Sequence, residues 1–299
     1  MRISSFLDPA VLARIDNLEL LARTVVDGFI NGLHRSPYLG LSIDFAEHRP
    51  YMPGDDIRRI DWRVFGRTDR FYVKEFEADT NTNFVVLLDI SRSMDYASQG
   101  ISKLDYARYL TACLTYFSRQ QRDRVGLVTF DQDIVEMVPP SAKHLDVVLH
   151  TVDRIEPGGS GELEAPLLKV AEAIKRRSIL ALVSDLYHEP QSVLRAASYL
   201  KNKGNDVLVF HVLDPAEINF PFEGAAHFED LESGERMPVV PERQAEEYRA
   251  LMSAHLDELA HLLVTNGMDY FLFDTSKPLD YALFQYLSRR ERLSRGRVR

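Results

Sequence analysis

Cysteine is almost missing from the 299-residue chain, which carries Cys113 alone. One thiol forms no intramolecular disulfide and rules out a zinc site built on several cysteines. Long apolar runs are missing too. Stretches such as Phe84–Leu88 and Ile179–Val183 reach five residues, against roughly 20 for a helix that crosses a bilayer, so no membrane insertion is expected. Asp8, Arg14, Asp16, Glu19, Arg23 and Asp27 interrupt the N-terminal apolar pattern, which therefore lacks the apolar stretch of a secretory signal. A cytoplasmic location is the expectation. Cationic charge is the minority, with 36 Lys and Arg against 45 Asp and Glu and a net charge of −9, and this weighs against a nucleic-acid binder. There is no Gly-x-x-x-x-Gly-Lys-Ser/Thr loop, no Gly-x-Ser-x-Gly turn and no His-Glu-x-x-His among the nine histidines. Nucleotide binding through a P-loop, a nucleophile-elbow hydrolase and a zinc protease are excluded on that ground.

What is present is a folded, soluble composition, 45% apolar and 27% charged. From residue 8 to residue 33, apolar side chains recur at steps of three and four, from Val11 and Leu12 through Ile15, Leu18, Ala22 and Val25 to Phe29, and predict one amphipathic helix. Pro50, Pro53-Gly54 and Gly66 then interrupt short extended pieces. From Phe84 onward apolar strands alternate with helical stripes. The pattern predicts an α/β fold, a mostly parallel sheet with helices on both faces. The expected organisation is an N-terminal helix and small β-rich module over 1–83, an α/β domain over 84–290 and a basic tail over 291–299. Prolines at 215, 221, 238 and 241 break the alternation, and a hairpin insertion is expected at about 215–241.

The first buried strand ends in Asp89-Ile90-Ser91-Arg92-Ser93. Ligands of open parallel sheets gather outside the carboxyl ends of the strands. One carboxylate and two hydroxyls from a single turn form an oxygen donor set suited to Mg²⁺, with Mn²⁺ or Ca²⁺ as alternatives. Asp and Ser also cap ordinary turns, so this triplet alone leaves a plain turn open. Asp185, after Ile179–Ser184, should reach the same rim, where two acids repel unless a cation or a proton lies between them.

These residues resemble the metal-ion-dependent adhesion site (MIDAS) of von Willebrand factor A-type domains. The segment Arg49-Pro-Tyr-Met-Pro-Gly-Asp-Asp-Ile-Arg-Arg-Ile-Asp-Trp62, with Arg67-Thr68-Asp69 and Val73–Phe76, resembles the signature of the bacterial domain of unknown function 58 family. The resemblance implies a von Willebrand factor A-like fold and a non-enzymatic, metal-dependent adaptor. Its implied partners are a MoxR-type AAA+ ATPase and a client protein. The implied metal ligands are Asp89, Ser91, Ser93 and Asp185, with a partner carboxylate closing the shell. The third metal loop departs from the family pattern, because Gly161 stands where a threonine is usual. Ser160, Glu162 or a water is left as the substitute donor, and occupancy of the site is open.

Two arginine-rich stretches allow other readings. Arg58, Arg59, Trp62, Arg63 and Arg67 suit a partner-binding face, or pair internally with Asp55, Asp56, Asp61 and Asp69. Arg289–Arg299 holds six arginines and one glutamate, as a solvated tail or as an arm for an acidic partner. Together they keep nucleic-acid binding as an alternative. A metal-dependent phosphoryl-transfer enzyme with Asp89 as nucleophile is the more remote one.

Overall fold

The structure, a computed structural model, describes residues 9–12, 15, 17–35, 48–50, 65–66, 71–74, 82–231, 234–279, 283 and 286. Its centre is a six-stranded sheet in the order β10-β7-β6-β3-β4-β5. The strands are β3 (Asn83–Asp89), β4 (Arg124–Phe130), β5 (Ile134–Ser141), β6 (Ser178–Ser184), β7 (Asp206–Leu213) and β10 (Asp269–Asp274). All neighbours are parallel except β4 and β5. Every residue of β3, β6 and β7 is buried, as expected of strands covered on both faces. Within β3 the side chains divide by parity. Phe84, Val86 and Leu88 enter one core, while Val85 and Leu87 enter the other.

Helices α3 (Lys103–Gln120) and α4 (Leu145–Asp153) contribute to the first core. Leu279, Leu283 and Tyr286, helical and buried, complete it. Tyr286 sets its ring against Phe84 and Phe117, and its hydroxyl lies 3.0 Å from that of Ser118. Helices α5 (Glu164–Ala173), α6 (Pro190–Asn202) and α8 (Pro241–Thr265) cover the opposite face. The short α7 (Pro215–Asn219) leads into a separate antiparallel hairpin of β8 (Ala226–Glu229) and β9 (Arg236–Val239). Strand β5 forms one margin of the sheet and includes Pro139 and Pro140.

The N-terminal region differs from the single helix read from its periodicity. It forms α1 (Pro9–Leu12) and α2 (Leu18–Arg35). Asn17 separates them, because its side-chain Oδ1 accepts from Leu20 N at 2.8 Å and starts a new helix there. Leu18, Leu21, Ala22, Val25, Val26 and Phe29 pack into the first core, so α2 shares its interior with the sheet. The boundary drawn at residue 83 therefore does not separate two cores. Within 36–81, β1 (His48–Pro50) pairs antiparallel with β2 (Tyr72–Lys74), and the rings of Phe65 and Phe71 stack at 4.5 Å. Arg58, Arg59, Trp62, Arg63, Arg67 and the tail from Arg289 lie outside the described residues.

Docking of α2 on the sheet domain predicts an asymmetric response along that helix. Leu21→Ala, at a fully buried position, should cost about 2–5 kcal/mol of unfolding free energy. Leu20→Ala, at a position 55% exposed, should stay within about 0.5 kcal/mol of wild type. Urea unfolding of the full chain measures both, and equal losses would contradict the docking.

Candidate functional site

Parallel register brings the carboxyl ends of β3 and β6 side by side. Leu88 pairs with Val183, which places Asp89 beside Ser184 and sets Asp185 just beyond the strand. The Ser184 hydroxyl donates to Asp89 Oδ2 at 2.6 Å, and Ser91 N donates to Asp89 Oδ1 at 2.9 Å. Asp89 is 2% exposed. Burial first, and the neighbouring Asp185 second, push its carboxyl up to about 7, although the bonds from Ser184 and Ser91 pull the other way.

After Ser91 the chain enters a 3₁₀ turn, Arg92–Asp95, which aims two hydroxyls at one another. Ser91 Oγ and Ser93 Oγ are 3.1 Å apart. Two adjacent donors at right angles around Mg²⁺, with bonds of about 2.1 Å, stand about 3.0 Å apart. The serine pair therefore matches neighbouring positions of an octahedral shell.

Asp185 is held from several sides. Lys103 Nζ donates to its Oδ2 at 2.7 Å, and the Ser93 hydroxyl also hydrogen-bonds the carboxylate. Burial opposes ionisation, but the Lys103 ammonium and the Ser93 hydroxyl outweigh it, so the Asp185 carboxyl lies below its ordinary value. His211 Nε2 lies 2.6 Å from the Asp185 carbonyl, and its Nδ1 lies 2.7 Å from the Tyr270 hydroxyl. A carbonyl only accepts, so Nε2 carries the proton and Nδ1 accepts from Tyr270. Burial pulls the imidazole down to about 4 and keeps it neutral. Leu186 follows with φ of 50°, a left-handed conformation that is costly for a leucine. Its N donates to Ser184 Oγ at 3.0 Å, so the turn after Asp185 is tied to the hydroxyl that serves Asp89.

Lys103 is the most buried cation at the rim, and its sequence position did not single it out. It opens α3 directly after Ser102, whose hydroxyl caps Asp105 N at 3.0 Å, and it is wholly buried. Its ammonium also donates to Glu217 Oε1 at 2.7 Å and lies 4.8 Å from the centre of the Tyr187 ring. Burial alone would lower its affinity for the proton. Asp185 and Glu217 reverse that and raise it, so Lys103 is cationic. A cation in the first turn of a helix is unfavourable to the helix dipole. That local conflict was the available signal. Ser184, Asp214, Glu217 and His211 were also missed, because each is brought to the rim by strand register or by the turn into α7.

The third loop lies against the first. Gly158 N donates to Ile90 O at 2.6 Å, and Arg92 N donates to Gly159 O at 2.8 Å. A Cβ on Gly158 would meet Asp131 Oδ2 at 2.6 Å and Ile90 O at 3.1 Å, so a side chain there would push the Asp131 carboxylate aside and crowd the strand end. Ser160, however, accepts from Gln132 Nε2 at 2.5 Å, and Glu162 Oε1 accepts from Glu164 N at 3.3 Å. Asp89, Ser91, Ser93 and Asp185 are brought together, while the Ser160 hydroxyl is engaged elsewhere. Among the described residues no three Asp, Glu, His or Cys side chains form a metal-binding group. The donor set is two carboxylates and two hydroxyls, all hard oxygen. It fits a Mg²⁺ ion that keeps part of its water.

A parallel sheet with one antiparallel margin, helices on both faces and an Asp-x-Ser-x-Ser turn at the end of its first buried strand define a von Willebrand factor A-like α/β protein. The chain belongs to the family described as protein of unknown function DUF58, whose model matches residues 47–258. It is 28% identical over 232 residues to the uncharacterized protein Rv1480 of Mycobacterium tuberculosis, covering 76% of this chain and 73% of that one. Among solved structures it is similar to the conserved hypothetical protein BatB of Bacteroides thetaiotaomicron, with a TM-score of 0.49 and 19% identity over 70% of this chain and 98% of that one. An aerotolerance-related membrane protein of Bacteroides fragilis gives a TM-score of 0.49 and 20% identity over 70% and 99% of the two chains.

The raised Asp89 carboxyl predicts a pH signature. The native state holds its proton from the ordinary carboxylate value of 3.8 up to about 7, so this group's stabilising contribution is full below that window and is lost as pH rises through it. His211 acts oppositely between about 4 and 6.5. In chelator, melting temperatures of wild type and Asp89→Asn should therefore diverge in favour of the variant from pH 5 to 8. A difference that does not change with pH would contradict the account.

Proposed function

We propose that the protein is a non-enzymatic, metal-dependent adaptor that grips a protein partner at the carboxyl rim of its sheet. The observation that carries this reading is the convergence of the Asp89 and Asp185 carboxylates with a serine pair 3.1 Å apart. Mg²⁺ is the proposed ion, with Mn²⁺ or Ca²⁺ as substitutes. When bound, the ion would offer a Lewis-acidic position to an oxygen donor. Asp89, Ser91, Ser93 and Asp185 would hold it, and an Asp or Glu of the partner would complete its shell.

The residues of the chain suit holding better than turnover. Each Asp89 oxygen accepts one hydrogen bond from the protein, which fixes the carboxylate in place and leaves each oxygen a second lone pair for an ion. Exposed groups beside the rim, Arg92 and Tyr187, offer a cation and an aromatic ring for recognition. The family resemblance supports a MoxR-type AAA+ ATPase as the partner that supplies ATP hydrolysis, with the adaptor presenting a client to it in the cytoplasm. Nucleic-acid binding rests on arginines outside the described residues, and no specific observation favours it.

Excess Mg²⁺ should raise the melting temperature of wild type and leave that of Asp89→Ala unchanged, because an ion that binds the native state stabilises it by mass action. Affinity capture from the native host should recover the ATPase with Mg²⁺ and lose it with EDTA. A wild-type melting temperature that none of the three cations moves would overturn the metal reading.

A further inference from the structure

Among the described residues, the ion pair to Asp185 comes from Lys103, and no ion pair reaches Asp89. Lys103 is shared, with equal distances of 2.7 Å to Asp185 Oδ2 and Glu217 Oε1. The second acid belongs to a different element. Glu217 sits in the first turn of α7, and its Oε2 accepts from Asp214 N at 2.8 Å. Asp214 in turn accepts from Ala216 N at 2.7 Å and from Ser98 N at 2.8 Å, and also takes the Ser98 hydroxyl. Tyr248 of α8 donates to the Glu217 carbonyl at 2.9 Å. One ammonium thus joins the rim to the start of the hairpin insertion.

We propose that Lys103 is a tethered counter-ion that competes with the metal ion for Asp185 and, through Glu217, couples occupancy of the rim to α7. This rests on the metal reading given above and adds a residue that sets its strength. A dication and an ammonium beside one carboxylate repel. Lys103 therefore weakens cation binding, and an ion at Asp185 shifts the ammonium onto Glu217. That shift tightens the first turn of α7. Lys103 is a positioning residue in this scheme, not a ligand.

The test uses the full chain with Lys103→Met and with Lys103→Met/Glu217→Gln. Lys103→Met strands two buried acids; the double variant removes the charge of one of them, Glu217, and leaves Asp185 alone for the ion, so it is the less destabilised of the two. Calorimetric titration with Mg²⁺ and with Mn²⁺ should show binding at least about tenfold tighter in the double variant than in wild type. A lysine with a merely structural role would give equal or weaker binding. Hydrogen exchange at residues 214–219 should slow on adding Mg²⁺ to wild type and not respond in the variants. Binding heat in wild type with equal or weaker affinity in a natively melting double variant sinks the role of Lys103 alone. No heat from either cation in any of the three proteins sinks the metal reading itself, and the competition with it.

Discussion

Two carboxylates buried at the ends of neighbouring parallel strands are the constraint around which this molecule is arranged. Register puts Asp89 and Asp185 on one rim, and a low-dielectric setting makes their mutual repulsion costly. Each nearby polar group answers that cost. Ser184 and Ser91 donate to Asp89, Lys103 and Ser93 to Asp185, and a neutral His211 holds the Asp185 backbone. The compensation is uneven. Asp185 receives a full positive charge while Asp89 receives only dipoles, which is why one carboxyl is held below its ordinary value and the other pushed up to about 7.

Most of the sheet was legible in the sequence, because central parallel strands are continuous apolar runs and helices show their own periodicity. The hairpin was legible too, through the prolines that break the alternation. The N-terminal break was not, because the periodicity of apolar residues continues across Asn17 and the cap is a side-chain event. Nor did periodicity tell that α2 buries its stripe against the sheet domain, since an amphipathic face names no partner.

The rim was legible where its donors sit in one turn, at Asp89, Ser91 and Ser93, and where a strand visibly ended, at Asp185. It was illegible where chemistry depends on contacts far apart in sequence. Lys103 and Glu217 are 114 residues apart and meet only because α3 and α7 both point their first turns at the same rim. Ser160 shows the reverse limit. Its loop arrives where expected, yet Gln132 claims the hydroxyl, a rotamer outcome that spacing does not encode.

Strand β5 lies at the margin of the sheet, and Pro139 and Pro140 occupy its later half. Neither residue has an N–H to offer, so that border makes a poor template for an incoming strand. The protein can leave exposed apolar side chains such as Val135 and Met137 along it without inviting edge-to-edge polymerisation there.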